Sequence, residues 1–313
     1  MTKYYKHPTA LVESEKIGSG TSVRAFAHIL PGATVGVDCD ICDHVFIENE
    51  VVIGDRVTVK YGVQLCDGVT LEDDVFVGPN ATFTNNSFPA SPGKPKRGSP
   101  TLVQRGASIG ANATILSGLV VGQSAMVGAG AVVTRSVPAH AVVVGNPAVI
   151  KSYVATPARS TSGASSPVGS RGDLPVFSRV PEVRAHRLPI ITDLRGSISV
   201  GELGKGMPFP PKRYFTVFNV PTREVRGEHA HRVCHQFLVC VRGQINLVVD
   251  DGRDREELIL DSPGVGVHVP PMVWAVQYRY SPEAVLLVLA SEAYDPSDYI
   301  RDYEEFIRLR QSR

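Results

Sequence analysis

Between residues 17 and 83 an apolar side chain returns at every sixth position: Ile17, Val23, Ile29, Val35, Ile41, Ile47, Ile53, Val59, Leu65, Leu71, Val77 and Phe83. The fifth slot of each hexad is small or β-branched, from Thr21, Ala27, Ala33 and Cys39 to Val75 and Ala81, and the second is often Gly or another small residue. Such a period suits a coil whose flat sides each supply one inward apolar residue. Three sides make a triangular turn, and stacked turns share a continuous core.

The period fails after Phe83 and resumes out of register at Val103, Ile109, Ile115, Val121, Val127, Val133 and Ala139. The step from Phe83 to Val103 is not a multiple of six, so the segment 84 to 102 is expected to leave the coil as a loop. That loop is rich in Pro, Gly and Asn. A long loop leaving one flat side can fold over a groove there, the alternative being a tolerated surface insertion. Pro-Ala and Asn-Pro steps in GAGAVVTRSVPAHAVVVGNPAVI end the coil near residue 150.

From about 154 to 175 the chain turns to Ser, Thr, Gly, Ala and Pro, which bury too little to fold alone and read as a flexible linker. Beyond 176 the pattern changes to short β-rich runs: RYFTVFNV, HQFLVCV, QINLVVD, ELIL, GVGVHVP, VWAVQY and AVLLVLA. Turns such as Asp250-Asp251-Gly252 and Ser262-Pro263-Gly264 separate them, which predicts a sandwich or barrel. Tyr299, Tyr303, Phe306 and Leu309 fall at helical spacing, so a short closing helix is expected with Ser297 as its N-cap. The fold class is therefore all-β, a parallel β-helix (1–153), a linker (154–175) and a β-barrel (176–313) with a short C-terminal helix.

Net charge is +1, which gives no global field to attract nucleic acid or an anionic membrane. The opening MTKYYKHPTA lacks the apolar run of a signal peptide, and no stretch has the length of a membrane span, so a soluble cytoplasmic protein is expected. The five cysteines are expected to be free thiols. Cys39-x-x-Cys42 invites a zinc or redox reading, but both residues fill small-residue slots and no second pair accompanies them.

The chemistry of the second domain gathers in VRGEHAHRVCHQ. In an extended chain His229 and His231 point to one face about 6.6 Å apart, which means metal binding or proton transfer. The His-x-His spacing resembles the first motif of the cupin superfamily, jelly-roll barrels whose third ligand is usually Glu. Here Gln236, or His235 by the other count, stands in that place, and Ala275 occupies the position of the second-motif His. With two of four ligands altered, no metal is expected. The remaining reading is isomerisation of a keto-sugar through an enediol.

The motifs RYFTVFNVP, VRGEHAHR, VDDG, LDSPGVGVHVPPMVW and VLLVLASEAYDPSDYIRDYEEF resemble the dTDP-4-oxo-6-deoxyglucose 3,4-ketoisomerases over 184 to 310. The resemblance implies a metal-free, dimeric cupin with His229 and His231 as acid/base machinery. Arg195, Arg213 and Arg226 are candidate diphosphate and sugar contacts, since a guanidinium fork matches phosphate oxygens. Trp274 is a candidate wall of the sugar pocket. His235 and His268 are expected to be structural.

GASIGANATIL and GAGAVVTRSVPAHAVVVGNPA make residues 17 to 150 resemble the hexapeptide-repeat acyltransferases, left-handed β-helices that work as trimers and bind acetyl-CoA between subunits. FTNNSFP with its Pro-rich loop is similar to the nucleotide-linked amino-sugar N-acetyltransferases. This resemblance implies Asn85 beside the sugar amine, pantetheine along Gly128, Ala129 and Gly130, and the nucleotide end of CoA near Gly145, Asn146 and Pro147. His28 and His44 are further proton-acceptor candidates, each in a slot that normally faces solvent. Acetyl transfer needs mainly a neutral amine held at attack distance, so positioning is the expected mechanism.

Together the two resemblances imply a bifunctional enzyme making a dTDP-3-acetamido-3,6-dideoxyhexose for a bacterial surface polysaccharide, the galacto sugar favoured over the gluco. Its partners would be dTDP-sugars, acetyl-CoA and further copies of itself, as trimer or hexamer. The alternative of another class is a sugar-binding cupin on a trimeric β-helix scaffold without catalysis.

Overall fold

A computed structural model describes residues 4–85, 99–154, 178–203, 207–221 and 224–312. The chain divides into two compact units, Met1–Val154 and Ala155–Arg313.

In the first unit short strands stack into three sheets of nine, seven and five strands. Coil pairing runs parallel, Val23 with Ile41 and Ile41 with Val59, so each anchor meets the one three hexads further on. The anchors Val23, Ile29, Ile41, Ile47, Leu65 and Leu71 are fully buried. The fourth slot makes the corners: Gly20, Phe26, Asp38, His44, Gly62, Asp74 and Asn80 all have positive φ. Adjacent coils are joined by backbone bonds such as Ser22 N to Cys39 O (2.8 Å) and Arg24 N to Ile41 O (2.9 Å). Cys39 and Cys42 are buried packing residues, the Cys39 thiol donating to Gly54 O at 3.1 Å.

Across the break, Leu71 pairs with Val103 and Phe83 with Ile115, so the excursion lengthens one coil and leaves the inward residues of the next in line with those below. Thr101–Val103 is itself a coil strand, not loop as the period alone implied. Residues 86–98 of that loop lie outside the described residues, as do 155–177 of the expected linker. At the far end the sixth-position rule also fails. Val137, not Ala139, faces the core and bridges to Val121. Val127 then pairs with Val143, short of three full hexads, because Pro138 turns the chain before a full side is completed. An antiparallel hairpin of Ala141–Val144 and Val149–Tyr153 closes the coil.

The strands of the second unit are β1 (Arg184–Arg187), β2 (Ile190–Asp193), β3 (Gly196–Ser199), β4 (Arg213–Phe218), β5 (Arg226–His231) and β6 (Gln236–Arg242). They continue as β7 (Ile245–Asp250), β8 (Arg255–Leu260), β9 (Val265–Val269), β10 (Trp274–Tyr278), β11 (Val285–Ala290) and β12 (Tyr299–Ile300). Two antiparallel sheets result, in the orders β1-β9-β6-β11-β4 and β8-β7-β10-β5-β12. They share one core, with Leu238, Cys240, Val267 and Leu286 from the first and Leu247, Val249, Leu258 and Ala275 from the second. Alternation places these residues inward on every strand. β2 and β3 form a separate hairpin.

The closing helix α1 spans Tyr303–Gln311, and its N-cap is Asp302, which accepts from Glu305 N at 2.7 Å. Ser297 does not cap it. Pro296–Asp298 form a single 3₁₀ turn, and Tyr299–Ile300 pair with Ala230–His231 instead of starting a helix. That sheet contact overrides the helical spacing and carries the Tyr299 ring to β5.

Candidate active sites

Strand β5 delivers both predicted imidazoles to one place. Gly227 has φ +84°, and a Cβ there would lie 2.6 Å from Ala275 O, so only glycine fits. The next residue, Glu228, has φ +53°, and the β5–β10 register shifts between Gly227 and His229. This bulge re-aims the strand. His229 and His231 end with ring centroids 5.0 Å apart at 86°. The Tyr299 ring lies 4.9 Å from the first and 4.4 Å from the second.

His231 has both ring nitrogens engaged and His229 has one. His231 Nδ1 lies 2.7 Å from Asp298 Oδ2, and Gln236 Nε2 lies 3.0 Å from His231 Nε2. A consistent network has His231 donating its Nδ1 proton to the carboxylate and accepting the Gln236 amide at Nε2. Asp298 is itself held by backbone donors, Val233 N to Oδ1 (2.7 Å) and Cys234 N to Oδ2 (3.3 Å). His229 donates from Nδ1 to Gly227 O at 2.8 Å, which leaves its Nε2 as a lone-pair acceptor. Burial pushes the His229 pKa down to about 4. Burial also lowers that of His231, against the pull of Asp298. Both rings are thus neutral bases at pH 7.

Of the predicted arginines, Arg213 belongs to this neighbourhood: its charge acts on His231, and its Nε is buried without a hydrogen-bond partner. Its guanidinium packs 5.3 Å from the Phe215 ring and 5.4 Å from that of Tyr294. Arg226 is exposed at the start of β5, opposite Gln277. Arg195 sits on the β2–β3 hairpin, 89% exposed and paired with Asp193 at 2.6 Å. Trp274 packs beneath α1, 5.2 Å from Tyr303 and 5.6 Å from Phe306. Arg301, which sequence reasoning passed over, lies 4.3 Å above the Tyr299 ring.

Among the described residues, His231, Cys234 and Asp298 hold donor atoms within 4.8 Å of one another. They do not fit a cupin metal set. The Asp298 oxygens are taken by His231 and two backbone amides, Gln236 covers His231 Nε2, and Ala275 is buried where a further ligand would stand.

In the first unit Asn85 is exposed just past the strand Thr82–Phe83, at the edge of the undescribed segment. Gly130 has φ +68° and open space where a Cβ would be, whereas Gly128 is covered by Val144. Ala129 lies between them, and Gly145, Asn146 and Pro147 form the tip of the closing hairpin. His28 bonds Glu13 through Nε2 at 2.9 Å, and His44 stacks on Phe26 at 5.0 Å on the coil surface.

Residues 181–311 match the family described as WxcM-like, C-terminal, and residues 44–79 and 104–135 match the hexapeptide repeat of succinyl-transferase. Over 116 residues the chain is 44% identical to a TDP-4-oxo-6-deoxy-α-D-glucose-3,4-oxoisomerase of Aneurinibacillus thermoaerophilus, covering 37% of this chain and 84% of that one. Over 150 residues it is 55% identical to a dTDP-3-amino-3,6-dideoxy-α-D-galactopyranose 3-N-acetyltransferase of the same organism, covering 48% and 78%. The chain belongs to both families, the sugar 3,4-ketoisomerases and the hexapeptide-repeat N-acetyltransferases. A solved 3,4-ketoisomerase from Helicobacter canadensis is 34% identical, with a TM-score of 0.40 over 42% of this chain and 98% of its own.

In the ketoisomerase unit Asp298 and Tyr299, like Arg301, stand beside the histidines without having been singled out from sequence. Their signal was present in the Asp-Pro-Ser-Asp turn, which breaks the helical spacing before Asp302. Gln236 was noticed as a missing ligand; its place is the hydrogen bond to His231 Nε2.

Proposed function

We propose that the chain is a bifunctional enzyme of dTDP-3-acetamido-3,6-dideoxyhexose synthesis. The ketoisomerase unit moves the keto group of dTDP-4-oxo-6-deoxyglucose from C4 to C3. A separate aminotransferase installs a 3-amine, and the first unit acetylates it from acetyl-CoA. The name of the acetyltransferase relative supports the galacto product.

The observation that carries the isomerase reading is the buried His231–Asp298 pair with His229 beside it. His231 removes the C3 proton through Nε2 while the C4 carbonyl oxygen takes one from solvent, giving an enediol. His231, whose captured proton exchanges with solvent in the enediol state, then delivers a proton to C4 as O3 loses its own. One C–H bond breaks and another forms, so no oxidant or metal enters the balance. Asp298 stabilises the transient imidazolium and fixes the ring's tautomer. Substrate displaces Gln236 from Nε2, and His229 Nε2 accepts the O3 proton and releases it to solvent. Arg213 faces the anionic diphosphate, with Arg226 and Arg195 as outer contacts, and Tyr299 forms the wall beside the reacting carbons. The altered ligand set supports proton transfer without a metal.

In the acetyltransferase unit Asn85 orients the amine, pantetheine follows Gly128, Ala129 and Gly130, and the hairpin tip Gly145–Pro147 meets the nucleotide end of CoA. A trimer with acetyl-CoA between subunits follows from the hexapeptide repeat, and sedimentation separates it from a hexamer.

The deciding experiment incubates the full chain with dTDP-4-oxo-6-deoxyglucose in D₂O and follows C3 by NMR. Exchange in the wild type and none in His231→Asn is expected; no exchange in either ends the isomerase reading. Release of free thiol from acetyl-CoA with the dTDP-3-amino sugar tests the other unit.

A further inference from the structure

Tyr299 touches both imidazoles, yet its strand gives it little support. β12 is two residues long and stands last in the sheet order β8-β7-β10-β5-β12, so β5 is its one strand neighbour. The register sets Tyr299 opposite His231 and brings the phenol ring beside that imidazole. Its remaining ring partners are side chains near the surface. Tyr294 lies 5.7 Å away and is 60% exposed, and the Arg301 guanidinium stands 4.3 Å from the ring centroid.

The backbone places Arg301 for this contact. Ile300 before it is buried and paired with Ala230, and Asp302 after it caps α1 through Glu305 N. Between these two fixed points the Arg301 side chain is exposed and, among the described residues, makes no ion pair or hydrogen bond. It folds back over the ring two residues earlier. A guanidinium within about 6 Å of an aromatic face is held there by the ring quadrupole, and its flat fork covers the ring as an ammonium does not.

We propose that Arg301 is a positioning residue of the isomerisation: its guanidinium clamps the Tyr299 ring against His229 and His231, so that the sugar meets His231 Nε2 in one orientation. The inference rests on the ketoisomerase reading above. Arg301 acts through Tyr299 and is given no contact with substrate. A Tyr299 ring free to tilt away would open the wall beside the reacting carbons. Because His231 serves both the C3 and the C4 transfer, such an error falls on turnover more than on binding.

The charge of Arg301 gives the clamp a second signature. Burial is the first cause lowering both imidazoles. After it, His231 and Arg301 lower His229, and Arg213 and Arg301 lower His231, whereas Asp298 raises both and the Gly227 carbonyl raises His229. Neutralising Arg301 therefore raises both pKa values and moves the acid limb of the rate to higher pH.

The test follows C3 exchange of dTDP-4-oxo-6-deoxyglucose by the full chain against substrate concentration and pH. At pH 7.5 Arg301→Met, which removes the planar cation, should lower kcat about 10- to 100-fold and change KM less than about 3-fold, with the acid limb displaced upward. Arg301→Lys keeps the charge, so its acid limb should stay at the wild-type pH while kcat recovers in part. Tyr299→Leu should lose as much as the Arg301→Met/Tyr299→Leu double variant, because the cation then has no ring to hold. Thiol release by the first unit stays unchanged in all of them. A wild-type kcat in Arg301→Met, a rise in KM alone, or losses that multiply in the double variant overturn the inference and leave the isomerase reading standing. No exchange in the wild type removes both.

Discussion

In the acetyltransferase unit an inward residue such as Val23 meets its partner Ile41 three hexads along the chain, whereas in the ketoisomerase unit His231 meets Asp298 across 67 residues. The first unit is close to one-dimensional, each coil contacting its neighbours, so a repeat visible in the sequence is already a statement about contacts. The second closes two sheets over a core, and the Asp298 carboxylate that bonds His231 arrives on a turn with no periodic relation to the histidines. A site built on the repeat can be located by counting. One built across a barrel needs the fold.

The sharpest way to break that contrast is at Asp298. Asp298→Asn keeps the shape but removes the charge that stabilises the imidazolium, and should slow C3 exchange about 10²–10⁴-fold while thiol release by the other unit is unchanged. Its KM should move little, since the loss falls on the transition state. Equal loss in both activities would mean that the units are not independent.

Next in size is the core of the repeat. Leu71→Ala should destabilise the first unit by about 2–5 kcal/mol and leave the melting of the second unchanged. Calorimetry resolves the two transitions. For the acetyltransferase site, Asn85→Ala should lower thiol release up to about 10²-fold by misplacing the amine, with isomerisation intact; an unchanged rate removes the role given to Asn85.

Acid affects the second unit more than the first. His229 and His268 titrate at about 4 in the folded chain, against about 6.5 unfolded. The folded state binds fewer protons, so stability is intact above pH 6.5 and declines as pH falls toward 4. The melting temperature of the second unit should fall by several degrees over that window, and His229→Asn should flatten the decline. The smallest effect concerns the helix cap: Asp302→Ala should cost about 1 kcal/mol and Ser297→Ala less than about 0.5, the order opposite to that expected from sequence.

Much of the fold was legible beforehand. The hexads placed the anchors because each coil side repeats the same local geometry, and the alternating runs placed the main barrel strands because a half-buried sheet demands a period of two. The edges were less legible. Thr101–Val103 is strand and Val137 replaces Ala139, since pairing with the preceding coil, not the count of six, fixes which residue turns inward.

The sequence by itself determined the repeat, the division into two units and the pairing of His229 with His231 on one strand face, all properties of residues within a few positions of one another. Only the tertiary structure decided that Asp298 and Tyr299 reach those imidazoles, and that Arg213 approaches them while Arg195 stays on an exposed hairpin. Those contacts depend on which strands become neighbours, a choice set by burial of the whole core and carried by no local pattern.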